Sequence, residues 1–157
     1  MPSLGLGCWQ SPPSELSSAV NHALKSGYRH IDGATIYGNE QAIGEGIRQS
    51  GMTREDVWVT TKLWNCRSSF LFPFTDKIAD HRPEDVLPAL KRSLGNLGLE
   101  YLDLWLMHYP AATSDQGVLD IPYTETWKAM EECVKLGLVR NIGISSMSSR
   151  DSSQCLD

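Results

Sequence analysis

Three features of the sequence predict an α/β fold built from parallel strands alternating with helices. Short apolar runs alternate with stretches of helical periodicity, five runs in all. Most junctions are short and marked by glycine or proline. The first run also lacks the glycine-rich phosphate turn of an open dinucleotide-binding sheet: Gly5 and Gly7 lie inside it, with no third glycine in place.

The first strand is read from Leu4 to Trp9, ended by Gln10-Ser11-Pro12-Pro13, with Ser14 as the expected N-cap of a helix whose periodicity runs from Ser17 to Lys25. Gly27 closes that helix, and Tyr28 to Asp32 is the second strand. A second helix is expected from about Asn39 to Gln49. After Gly51, the β-branched run Val57 to Lys62 is the third strand. Pro83-Glu84-Asp85 opens a helix to about Leu97, because proline suits an early helical position. Tyr101 to Met107 is the fourth strand, Pro122 to Leu136 an amphipathic helix closed by Gly137, and Val139 to Ile144 the fifth strand.

Strict alternation with short links implies right-handed crossovers, in either a doubly wound sheet or a closed barrel. The missing phosphate turn favours the barrel. Two segments break the pattern: residues 66–79 form a connection far longer than the two to six residues usual for such units, and 147–157 is a serine-rich polar tail. The expected organisation is therefore a barrel portion over 1–146 with an insertion at about 66–79, then the tail.

Composition excludes several classes. Four scattered cysteines offer no zinc spacing and suggest reduced thiols. A formal net charge of −5 with dispersed Lys and Arg argues against nucleic-acid binding. No run reaches the roughly 20 apolar residues of a membrane span, and no signal peptide is evident, so a cytoplasmic protein is expected.

Polar residues collect at the strand ends. Asp32, Lys62, His108 and Ser145 close strands two to five, and Tyr37 lies just past the second. In a β/α barrel the carboxyl ends of the strands form the catalytic face. Singly, Asp32 reads as a turn cap, Lys62 as solvated and His108 as a buried histidine. Together they point to chemistry, because a buried lysine needs a carboxylate partner and perturbs a tyrosine beside it. A metal centre fits badly, since there is no His-x-His and Lys62 would put a positive charge where a cation should sit.

The stretch from Gly27 to Glu40, reading Gly-Tyr-Arg-His-Ile-Asp-Gly-Ala-Thr-Ile-Tyr-Gly-Asn-Glu, closely resembles the signature of aldo-keto reductases. Thr61 to Asn65, Leu102 to Pro110 and Arg140 to Ser145 resemble later blocks of that family, in the same order. The resemblance implies part of a (β/α)8 TIM barrel, here about five parallel strands, and transfer of hydride from NADPH, or NADH, to a small aldehyde or ketone.

The resemblance also assigns roles. Asp32, Tyr37, Lys62 and His108 match the family's catalytic tetrad. Tyr37 would be the general acid that protonates the carbonyl oxygen, helped by an ammonium that stabilises a phenolate. Asp32 would hold Lys62, and His108 would orient the carbonyl. Trp9, Trp64 and Tyr109, with His108, would line the substrate mouth, and Asp32, Ser145 and Ser146 would face the cofactor. The family has Ser-Asn where Ser145-Ser146 stands, which would weaken the grip on the carboxamide.

Such a barrel takes about 250 residues, so the family's pyrophosphate loop and its adenosine-recognising cations would lie past residue 157. A truncated barrel is expected, with self-association through exposed sheet edges. The competing reading is a catalytically inactive fragment serving as a binding or regulatory module, or the product of a faulty gene model.

Overall fold

The computed structural model of the chain describes residues 1–65, 80–114 and 117–147. The expected insertion at 66–79 and all but Met147 of the expected tail lie outside the described residues. The element order is β1 Leu6–Gly7, α1 Pro13–Lys25, β2 His30–Asp32, α2 Glu40–Ser50, β3 Trp58–Leu63, α3 Pro83–Leu97, β4 Leu104–Met107, a small β5 Thr113–Ser114 and β6 Gly117–Val118, α4 Tyr123–Lys135, and β7 Ile142–Ile144. Single 3-10 turns stand at Thr35–Tyr37 and Arg54–Asp56.

Five strands make one parallel sheet in the order β1-β2-β3-β4-β7. That order never reverses, and α1 packs on α2, α2 on α3 and α3 on α4. A doubly wound sheet reverses its strand order at a switch point and splits its helices between two faces. This arrangement is that of consecutive β/α barrel units, with the helices side by side on one face of the sheet.

The core lies between the sheet and those helices. Ile31, Val59, Leu63, Trp105 and Met107 from the strands meet Leu16, Val20, Leu24, Ile43, Ile47, Leu90 and Leu94 from the helices. Two glycines let the helices approach. A Cβ on Gly46 would sit 2.6 Å from both the Ser17 carbonyl oxygen and Cβ of Val20 on α1, and one on Gly44 would collide with the Leu97 backbone of α3. The other sheet face carries polar pairs, among them His30 Nε2 with Thr60 Oγ1 at 2.9 Å.

One expectation is corrected. Helix α1 begins at Pro13 with Pro12 as its N-cap residue, so Ser14 lies inside the helix and caps nothing. Proline presets the helical φ at the first position and forces the residue before it to be extended, as Pro12 is at ψ 136°. The β5–β6 hairpin was not anticipated either, since two-residue strands carry no readable alternation.

The amino ends of the strands are tied by charge. Asp103 accepts from the Val59 N–H at 3.0 Å and pairs with Arg54 at 2.8 Å and Arg140 at 3.1 Å. Both guanidiniums lie against the Tyr101 ring, at 4.0 and 4.1 Å from its centre. This cluster locks the floor of the sheet, opposite the rim where the candidate site lies.

Candidate active site

At the carboxyl rim β2 ends at Asp32, and β3 carries Lys62 one residue before its own end at Leu63. Parallel pairing sets Asp32 opposite Thr60, so Asp32 and Lys62 are neighbours on the sheet's polar face. The Lys62 ammonium donates to Asp32 Oδ1 at 2.6 Å and to the Gly33 carbonyl at 2.9 Å. Lys62 is 8% exposed, so its charge is held by a carboxylate and a carbonyl in place of water.

The chain then turns through the 3-10 segment Thr35–Tyr37, which ends at Gly38 in the left-handed region at φ 67°. The turn brings the Tyr37 ring to 5.5 Å, centre to atom, from the Lys62 ammonium. His108, just past β4, meets the Tyr37 ring edge-on at 6.1 Å. Burial, reinforced by the Lys62 charge, lowers its pKa to about 4 against a weaker opposing pull from Asp32. A neutral imidazole follows, with one N–H for an incoming acceptor.

Aromatic walls surround this point. Trp64 packs edge-on against His108 at 4.9 Å and against Tyr109 at 6.0 Å, and Tyr109 stacks on His108 at 5.1 Å. A cleft of about 510 Å³ is lined by Trp9, Gln10, Ile36, Tyr37, Trp64, His108 and Tyr109. The structure thus gathers the expected Trp9, Trp64, His108 and Tyr109 with Tyr37 at one opening. Asp32 and Lys62 do not line it, and reach it only through the Tyr37 ring, 5.5 Å from the Lys62 ammonium.

Ser145 and Ser146 stand at the rim but do not line that cleft. The Ser145 hydroxyl donates to the His108 carbonyl at 2.7 Å, tying the end of β7 to His108. Among the described residues nothing donates to its lone pairs. Ser146 holds a left-handed φ of 57°, a conformation that suits asparagine better than serine.

Other residues were not singled out by sequence. Gln10 and Ile36 line the cleft beside Trp9 and Tyr37, and chain adjacency was their only signal. Asn39 is buried and donates to the carbonyls of Cys8 and Ser11 at 2.9 and 3.2 Å, fixing the loop that presents Trp9. Glu40, also buried, accepts from Thr61 at 2.8 Å and Asn96 at 3.0 Å, joining α2, β3 and α3. Asn65 donates to the carbonyls of Tyr109 and Ala111. Burial raises the Cys8 thiol pKa to about 12, which keeps it protonated and inert.

Among the described residues no group of three His, Cys, Asp or Glu side chains could hold a metal, and no helix is long and apolar enough to cross a membrane. A family model described as the aldo/keto reductase family matches residues 3–156. The chain belongs to that family.

Aldo-keto reductase family 1 member A1 of Mus musculus is 44% identical, over 96% of this chain and 47% of its own length. An uncharacterized oxidoreductase of Schizosaccharomyces pombe is 48% identical, over 93% of this chain and 45% of its own. Among solved structures, a Bombyx mori aldo-keto reductase in complex with NADP superposes with a TM-score of 0.86 at 36% identity, covering 98% of this chain and 50% of that one. Giardia lamblia aldose reductase gives 0.86 at 39%, covering 99% and 53%. The chain spans about half the length of the aldo-keto reductases it matches.

Proposed function

We propose that this aldo-keto reductase chain reduces an aldehyde or ketone to an alcohol with NADPH, Tyr37 serving as the general acid. The observation that carries the reading is the Asp32–Lys62 pair, its ammonium 5.5 Å from the ring centre of Tyr37, which itself lines an aromatic cleft together with a neutral His108. Reduction builds negative charge on the carbonyl oxygen, and that charge needs a proton placed beforehand.

Each residue has a separate task. The His108 N–H orients the carbonyl oxygen toward Tyr37. The Tyr37 hydroxyl gives that oxygen its proton, and the Lys62 ammonium stabilises the phenolate left behind. Asp32 keeps Lys62 charged and aimed. Trp9, Trp64 and Tyr109 exclude water around an apolar substituent.

The donor set fits the nicotinamide end of NADPH, and the Bombyx mori relative is in complex with NADP. Ser145 can accept from a carboxamide N–H while its own proton serves His108, with Asp32 and Ser146 at the same rim. NADPH, when bound, supplies the hydride. Among the described residues no Lys or Arg lines the cleft. A small carbonyl compound is the substrate, and copies of the chain associate through the outer edges of β1 and β7.

The test is titration of the purified chain with NADPH, followed by quenching of its tryptophans, together with turnover of an aldehyde panel. Saturable quenching with turnover supports the proposal, and binding without turnover or no binding at all refutes it.

A further inference from the structure

Lys62 is held at two points by the short segment that leads to Tyr37. Its ammonium donates to the Gly33 carbonyl at 2.9 Å, and its own carbonyl accepts from the Thr35 hydroxyl at 3.0 Å. The second bond completes an interrupted ladder. Gly33 N–H donates to the Thr60 carbonyl at 2.9 Å, and in a parallel ladder the next rung would run from the Thr35 N–H to the Lys62 carbonyl. β2 has left the sheet by then, and the chain has entered its 3-10 turn. The Thr35 side chain supplies the donor that the backbone no longer can.

A hydroxyl carries one proton. Since that of Thr35 goes to Lys62, the Ser93 hydroxyl 3.0 Å away on α3 must be the donor to Thr35. The order is Ser93 to Thr35 to Lys62, linking helix, turn and strand. The turn has little strength of its own: its bonds are Tyr37 N–H to the Ala34 carbonyl at 3.0 Å and Gly38 N–H to the Thr35 carbonyl at 3.2 Å, and 3-10 bonds have poor geometry. Threonine's stiff χ1 suits the task, because its hydroxyl is aimed before the bond forms.

We infer that Thr35 is a positioning residue whose hydroxyl, standing in for the missing rung between β2 and β3, sets the place of Tyr37 against the Lys62 ammonium. This rests on the reading of Tyr37 as the acid. Thr35→Val keeps the shape and removes the donor, and Thr35→Ser keeps the donor.

Thr35→Val should lower kcat about tenfold with KM held within about twofold, the change expected from one lost hydrogen bond felt in the reacting geometry. Amide hydrogen exchange at Tyr37 and Gly38 should quicken by about tenfold in the same variant. Thr35→Ser should restore both. Equal behaviour of the two variants, or an unchanged Thr35→Val, overturns the inference. If the parent chain shows no turnover, the proposed function fails by itself, and exchange decides: faster exchange in Thr35→Val alone supports the inference, and equal exchange overturns it. If Thr35→Val does not fold, Ser93→Ala takes its place, with exchange at Tyr37 and Gly38 about threefold faster expected from a weakened bond and no change overturning it.

Discussion

Replacing Lys62 by methionine removes one charge and little volume, which makes it the sharpest probe of the site. The ammonium leaves Asp32 Oδ1 and the Gly33 carbonyl, at 2.6 and 2.9 Å, and the face of Tyr37. Stripping one partner from a fully buried pair costs about 3–5 kcal/mol. The Asp32 side chain is 35% exposed, so water can take up its carboxylate, and the expected loss is nearer 2 kcal/mol. With a urea slope of about 2 kcal/mol per molar, the unfolding midpoint should fall by about 1 M. Turnover should fall much further, by at least about a hundredfold, because a positioned acid contributes about 10²–10⁴ and Tyr37 would have lost its help. Asp32→Asn and the double variant complete a cycle, with a coupling of about 1–3 kcal/mol expected in stability. Additivity within about 0.5 kcal/mol, or turnover in Lys62→Met within about threefold of the parent's where a lost acid costs at least about 10², would refute the reasoning.

Other consequences follow from the same contacts. Gly46→Ala places a methyl group 2.6 Å from α1; overpacking of about 1–3 kcal/mol should outweigh the helix-propensity gain of up to about 1 kcal/mol, so calorimetry should show a melting point lower by several degrees. His81 is fully buried, neither ring nitrogen has a hydrogen-bond partner among the described residues, and burial lowers its pKa to about 4. The unfolded chain therefore takes up this proton first as pH falls: the stabilisation is complete above about pH 6.5 and is lost toward about pH 4, at about 1.4 kcal/mol per pH unit. Urea unfolding at several pH values should show at least that slope, and His81→Leu should reduce it by about 1.4 kcal/mol per pH unit, leaving the share of His108, which is shifted the same way. His108, lowered to about 4 in the same direction, stays neutral under mildly acidic conditions, so the kcat/KM profile should show no inflection near the ordinary histidine value of about 6.5. Asn39→Ala frees the Cys8–Ser11 loop and should raise KM several-fold with little change in kcat, read from steady-state kinetics; an unchanged KM would remove Asn39 from the support of Trp9.

Much of the fold was legible because local patterns carry it. The β-branched run Val57 to Lys62 matches, shifted by one residue, the strand Trp58–Leu63, which is buried along most of its length, and Gly51 and Gly98 end their helices in the left-handed conformation that glycine adopts most easily. Strand-end placement then brought Asp32, Lys62 and His108 to one rim, where the structure also has them. What stayed hidden depends on contacts between distant positions. Glu40 meets Thr61 and Asn96, Thr35 meets Lys62 and Ser93, and Asn65 meets Tyr109 and Ala111. No periodicity reports such pairs, since they arise only when neighbouring β/α units pack. The N-cap at Ser14 failed for a local reason: two prolines before it preset the chain and started α1 two residues earlier.

The central claim is that the Tyr37 hydroxyl delivers the proton. The direct measurement is the single-turnover rate of aldehyde reduction by the parent chain and by Tyr37→Phe, each saturated with NADPH as judged by tryptophan quenching. NADPH saturation should be equal, and the rate lower in Tyr37→Phe by about 10²–10⁴. Equal rates in the two proteins would contradict the claim, because the proton would then come from elsewhere.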